Sequence, residues 1–304
     1  MTFLSVLHLL LALAGAPLLA GIIHRVKART AGRRGPPLLQ LYFDLGKLLK
    51  KGAVYSRTTT WVFKAGPIVG LAAAVLSLSL VPLGPVPAVA AFPGDLILMV
   101  YLLGLMRFVT VLAALDTGSA FEGLGASREV QFSALAEPAL LLGLGALAAT
   151  ARDMSLSGIF SGLSLPAAPP SAAPVLLLVS AATFIVLLAE NARIPIDDPN
   201  THLELTMVHE AMVLDHGGVD LAAIEYGSSL KLWIFAALLS GVALPVATGS
   251  SAADLLLHLA GVLAVAVAIG LVESGMARLR LLRVPQLLLA ASVLSLLALA
   301  LALR

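Results

Sequence analysis

The stretch Thr2 to His24, TFLSVLHLLLALAGAPLLAGIIH, decides the fold. It contains no Asp, Glu, Lys or Arg. A helix of that length, rising about 1.5 Å per residue, crosses a hydrocarbon layer of about 30 Å. No basic leader precedes it and no obvious small-residue cleavage site follows. It therefore reads as a retained first span rather than a signal peptide.

The same pattern recurs along the chain. Apolar windows near 2–24, 62–83, 94–115, 132–151, 172–190, 228–248, 253–273 and 285–303 predict eight spans. Apolar side chains make up 60% of the 304 residues and charged ones 12%. A soluble domain carries about 25% charged residues and cannot hide this much apolar surface from water. The expected fold is all-α: one integral membrane domain over 1–304, with about eight transmembrane helices and an amphipathic helix after the first. No solenoid period and no similarity between halves is evident.

Lys and Arg set the expected orientation. The first loop holds Arg25, Lys27, Arg29, Arg33, Arg34, Lys47, Lys50, Lys51 and Arg57. Arg128 falls in the third loop, Arg193 in the fifth, and Arg278, Arg280 and Arg283 in the seventh. These odd loops carry most of the basic residues, so they are expected to be cytoplasmic and both termini to lie outside. The expected localisation is the cytoplasmic (inner) membrane of a bacterium or archaeon.

Two loops are more than connections. In segment 30–57, Leu38, Leu41, Leu45, Leu48 and Leu49 share one helical face flanked by lysines. Such a helix either lies on anionic lipid, or roofs a cavity or docks a partner. The loop 191–227 carries Asp197, Asp198, Glu204, Glu210, Asp215, Asp220 and Glu225 against one Arg. Within it, Thr201 to Leu214 reads as a helix, entered past Pro195 and Pro199 and ended by Gly217-Gly218.

A charge inside a bilayer costs at least about 2.5–3.5 kcal/mol on insertion scales, so it calls for a partner or a watery path. Arg107, within the third span, and Glu137, just inside the fourth, meet that description. Glu190 ends the fifth span, with Arg193, Asp197 and Asp198 close behind it. Arg128-Glu129 is expected to open the fourth helix. Glu129 and Glu137 would then stand about 12 Å apart along the axis, a gap for a short water chain. Burial and neighbouring charge can poise such carboxylates for proton relay. For each, the plainer alternative is a snorkelling or structurally paired side chain. Glu204 has its own: Thr201-His202-Leu203-Glu204 matches a capping box, in which the carboxylate serves a backbone N–H.

His202, His209 and His216 repeat every seven residues, with neighbours about 10.5 Å apart along a helix. Metal ligands must converge on a point, so no shared metal is expected. The histidines pack or meet a partner, or His209 beside Glu210 relays protons. His8, His24 and His258 read as structural. The chain has no cysteine and thus no thiolate for an iron–sulfur cluster or a nickel site. No phosphate loop, metalloprotease motif or nucleophilic triad is present, and no catalytic residue is assigned.

The stretch Leu188-Ala-Glu190-Asn-Ala-Arg193-Ile-Pro195-Ile-Asp197-Asp198-Pro199-Asn-Thr-His202-Leu-Glu204-Leu205 resembles a signature of subunit 1 of respiratory complex I. It is more similar still to the corresponding proximal membrane subunit of formate hydrogenlyase and other energy-converting [NiFe]-hydrogenases. Arg33-Arg34-Gly35-Pro36, the segments Leu115–Ser119 and Gly125–Glu129, and Glu273 to Leu281 agree with it. The resemblance implies a non-catalytic subunit of an oxidoreductase complex that anchors a peripheral redox arm and carries a proton path. Carried over by position, that path is Glu129, Glu137, Glu190, Asp197, Asp198, Glu204 and Glu210. Arg107, noted above, together with Arg128 and Arg193, forms the set of charge partners. Arg33, Arg34, Arg278 and Arg280 are the candidates for docking a partner.

The implied partners are hydrogenase-type large and small subunits, an iron–sulfur electron-transfer subunit, antiporter-like membrane subunits and the lipid bilayer, with no nucleic acid. The [NiFe] centre and the iron–sulfur clusters would sit in those partners, and this chain would bind no cofactor. Complex I typically shows a Glu-rich run after Asp-x-Pro, where this chain has Asn200 to Glu204 with fewer acids. That departure favours the hydrogenase branch. The alternative is a quinone-binding subunit of a complex I-like NADH:quinone oxidoreductase, and a third reading is a stand-alone ion carrier.

Overall fold

The computed structural model describes residues 3–165, 168–169, 172–197 and 207–304. In chain order its α-helices are α1 (Phe3–Thr30), α2 (Gln40–Leu48), α3 (Trp61–Leu80), α4 (Asp95–Asp116), α5 (Ala120–Ala151) and α6 (Leu156–Leu163). They continue with α7 (Ala172–Glu190), α8 (His209–Met212), α9 (Gly218–Ala243), α10 (Ser251–Gly275) and α11 (Val284–Ala302). Eight of the described helices are long and apolar enough to cross a membrane, with a short 3-10 turn over Leu281–Arg283 extending the last. The protein is thus an all-α, multi-pass membrane protein.

α9 is the central post. It packs against α1, α3, α7 and α10, and nearly every residue from Ser229 to Val242 is buried. α11 packs against α5 and α7 at the periphery and turns Leu289, Val293, Leu296 and Leu297 outward. Exposed leucines cost nothing where the surroundings are lipid tails.

Two spans begin earlier than hydropathy predicts. α5 starts at Ala120 rather than near 132, so Arg128 and Glu129 lie within the helix instead of opening it. Polar residues from Glu122 to Gln131 depress the apolar window there, although the backbone is already helical. α9 starts at Gly218 rather than near 228, because Asp220, Glu225 and the Ser228-Ser229 pair mask its first turns. The helix expected over 201–214 is, among the described residues, the single turn α8, so His216 stands outside any helical repeat with His209.

α2 docks on α1. Gly21 has no side chain, which lets the Leu38 carbonyl sit directly against the α1 backbone. Proline at 17 supplies no N–H, freeing the Leu13 carbonyl one turn back. Tyr226 of α9 donates its hydroxyl to that carbonyl at 2.8 Å. The Tyr42 hydroxyl of α2 donates to the neighbouring Ala14 carbonyl. The break in α1 is thus bridged from two other helices.

Candidate functional site

With eight spans, the described connections 31–60, 117–119, 191–197, 207–217 and 276–280 gather at one end of the bundle, here called the basic end. On this side of the membrane interior a group of buried charges converges on Arg107. On α4, Arg107 keeps only 8% of its surface exposed. Glu129 and Glu137 of α5 are eight residues apart, two turns of one face, and bracket the guanidinium. Its Nη2 lies 3.0 Å from Glu137 Oε1, its Nε 3.9 Å from Glu129 Oε1, and its Nη1 3.3 Å from Glu190 Oε1. The separation expected between Glu129 and Glu137 is therefore bridged by a cation. Glu190, at the end of α7, is held on its other oxygen by Lys231 Nζ of α9 at 2.7 Å.

Five ionisable groups from four helices form one cluster, with three carboxylates against two cations. It formally holds one negative charge in excess. The exposures differ along it, since the Glu190 side chain is 5% exposed and that of Glu137 is 42%. Glu137 sits midway along α5 beside Gly104, on a face it shares with the outward-turned Tyr101, Leu105 and Leu141.

The inner cluster opens onto a chamber of about 460 Å³ between α1, α4, α7, α9 and the residues leading into α2. Pro36, Pro37, Gln40, Leu41 and Asp44 roof it, and Arg193, His209, Glu210, His216 and Glu225 join Arg107, Glu129, Glu190 and Lys231 in its walls. Of the two readings open for the amphipathic helix, α2 takes that of a roof on its inner side. Its outer side still presents Leu39, Phe43 and Leu49.

The segment that follows α7 is pinned at several points. Pro195 accepts a hydrogen bond from Leu279 N at 2.8 Å. Asp197 pairs with Arg278 at 2.6 Å and accepts from Val208 N at 3.2 Å. Arg128 donates to the Met207 carbonyl at 2.9 Å. Burial drives the His209 imidazole below its ordinary pKa, against the opposing pull of Glu225, so the ring is neutral near pH 7. His216 stacks on Phe63 with centroids 3.9 Å apart, and burial lowers its pKa likewise, against the pull of Asp220 and Asp215.

Of the residues singled out in the sequence, Arg107, Glu129, Glu137 and Glu190 meet in one cluster. Arg193 and Glu210 line the same chamber, while Asp197 and Arg128 hold its wall. Asp198, Glu204 and His202 lie outside the described residues. Arg33, Arg34 and Arg280 are exposed, whereas Arg278 turns inward onto Asp197. The reading of site residues missed Lys231, Glu273, Lys27 and Glu122. Lys231 fell at the edge of its span because the start of α9 was misplaced; in the true helix it is central. Glu273 is fully buried at its side chain, between Lys27 Nζ at 2.8 Å and Arg193 Nη1 at 3.6 Å. Glu122 accepts from Asp215 N at 3.2 Å. Its signal was an acid in a segment read as a loop.

A family model described as NADH dehydrogenase matches residues 3–303. The chain is 32% identical over 274 residues to formate hydrogenlyase subunit 4 of Escherichia coli K12, covering 88% of each chain. To hydrogenase-4 component C of the same organism it is 35% identical over 230 residues, covering 75% of this chain and 71% of that one. Among solved structures, a chain of the membrane-bound sulfane sulfur reductase, an archaeal respiratory membrane complex, shares the fold. Its TM-score is 0.83 at 23% identity, over 98% of both chains.

Proposed function

This chain belongs to the NADH dehydrogenase family, and from that membership we propose that it is the non-catalytic membrane subunit of a hydrogenase-type complex. In this role it anchors a peripheral redox arm and passes protons between that arm and ion-translocating membrane subunits. The relatives supporting the hydrogenase branch are a formate hydrogenlyase subunit and a hydrogenase-4 component.

The observation that carries the relay reading is the Arg107 cluster. Three carboxylates within ion-pair reach of one guanidinium, with Lys231 the one further cation paired to them among the described residues, leave room for one exchangeable proton. The chamber gives that proton an aqueous approach from the basic end. Half-exposed Glu137, on the α4–α5 face, gives it a way out towards a neighbouring membrane subunit. In this reading Glu210 lines the approach and Asp197 holds its wall, Asp198 and Glu204 are assigned to the same path by family resemblance alone, and Arg128 and Arg193 set its field. Arg33, Arg34 and Arg280 dock the redox arm, at a cytoplasmic basic end with both termini outside.

The chamber also lies where the quinone reading needs one, between α2 and the segment after α7. Arg107, Glu129, Glu190, Arg193, Glu225 and Lys231 are set among its apolar lining residues, and each charge left facing the hydrocarbon of a long tail must be desolvated. We therefore place water and protons there, and assign the nickel and iron–sulfur centres to partner subunits. Purification of the intact complex through a tag on this chain tests the assignment. Nickel and iron should co-purify and no quinone analogue should compete for the chamber. A nickel-free complex that binds such an analogue would establish the quinone reading instead.

A further inference from the structure

A second buried charge group lies beside the chamber, and its balance is the reverse of the first. Glu273, near the end of α10, has a fully buried side chain and faces two cations, Lys27 of α1 and Arg193 of the segment after α7. The two contacts are unequal. Lys27 Nζ lies 2.8 Å from Oε2, whereas Arg193 Nη1 lies 3.6 Å from Oε1, beyond good hydrogen-bond length. Arg193 Nε is buried with no hydrogen-bond partner. This guanidinium is held by charge rather than by a fixed fork, and it lines the same chamber as Glu190, only three residues before it.

Around Arg193, α1 offers His24 and Lys27, α2 offers Asp44, and α10 offers Glu273. The same chamber is lined by Glu129, Glu190, Glu210 and Glu225, the cations Arg107 and Lys231, and the imidazoles His209 and His216. Asp197 and Arg278 are occupied with each other. The carboxylates that line the chamber, namely Asp44, Glu129, Glu190, Glu210 and Glu225, compete with Glu273 for the Arg193 side chain.

We propose that Glu273 is a positioning residue that holds Arg193 at the chamber wall and off Glu190, so that the Arg107 cluster keeps one carboxylate more than its cations. Resting on the relay reading above, it gives the α10 acid a purpose that a plain helix clasp lacks. A guanidinium that reached Glu190 would balance the cluster and leave it no reason to take up a proton. Lys27 holds Glu273 in place on the side away from the chamber.

Two charge-matched double variants of the intact, purified complex test this. Lys27→Gln with Glu273→Gln leaves Arg193 free, while Arg193→Gln with Glu273→Gln leaves only Lys27. The readout is infrared titration of the Arg107 cluster, followed in the protonated-carboxyl band that is lost when one of its acids, Glu129, Glu137 or Glu190, is replaced by Gln. With Arg193 freed, the band's midpoint should move to lower pH by about one unit or more, as a cation within about 4–6 Å does to a carboxyl. With Arg193 removed, the midpoint should stay at the wild-type value. Equal midpoints in the two doubles would overturn the proposal, since a mere clasp does not distinguish which cation remains. Glu273→Asp draws the carboxylate back by one methylene without changing charge. It should move the midpoint the same way by less, and a wild-type midpoint there would overturn the proposal even if a double fails to assemble. A relay failure is separately visible, as unchanged proton movement in Glu137→Gln.

Discussion

Both ends of this bundle bury carboxylates, but they satisfy them differently. At the end opposite the basic loops, Asp95 is fully buried and accepts from Leu156 N at 2.7 Å, Ser155 Oγ at 2.8 Å and Phe92 N at 3.3 Å. Asp254 accepts from Thr248 N at 2.7 Å and Thr248 Oγ1 at 2.8 Å. Those acids are tied to backbone N–H groups and hydroxyls, neutral donors that carry no charge to exchange. They close helix ends, and a proton arriving there would only break a turn. Around Arg107 the partners are side-chain cations, and the guanidinium Nε and Nη1 are buried without a hydrogen bond. The same residue type is a structural fastening at one end and an exchangeable charge at the other. What separates them is whether the counter-group is a neutral hydrogen-bond donor or a side-chain cation.

The largest effect should come from removing the hub. Arg107→Met leaves Glu129, Glu137 and Glu190 crowded together with Lys231 alone to balance them. Breaking a buried ion network by deleting one partner costs about 3–5 kcal/mol. Thermal denaturation of the detergent-solubilised complex should show that loss, and a variant as stable as wild type would mean that the carboxylates simply protonate and pack. At the opposite end Asp95→Ala should cost less, about 2 kcal/mol, for the hydrogen bonds closing the start of α6. Proton movement per electron in the complex that does assemble should be unchanged. A change in that ratio would erase the distinction between the two ends.

The distinction was partly legible in the sequence. Long apolar runs made the eight spans visible, because hydrocarbon demands unbroken helices. Arg107 and Glu137 stood out for the same reason: a charge in such a run needs a partner. Asp95 and Lys231 were harder. An Asp just after Gly94 reads as an ordinary helix start, and nothing local shows that it caps another helix, α6, instead. Lys231 sat at the margin of an apolar window shifted by Glu225 and two serines, so its central place in α9 emerged only with the packing. The Glu273–Lys27 pair joins residues from the first and seventh spans, a contact that periodicity within one helix cannot reveal. Hydropathy reports which residues are costly to bury, while topology decides which of them meet.

Glu137 carries the smallest stability effect and the central functional claim. Its half-exposed side chain should contribute little to folding, about 1 kcal/mol or less, so Glu137→Gln should leave the complex assembled. The decisive measurement is proton movement per electron in sealed vesicles bearing that variant complex. The relay reading requires redox turnover to continue while proton movement falls to background. Wild-type proton movement in Glu137→Gln would show that the Arg107 cluster holds the helices together and carries no proton.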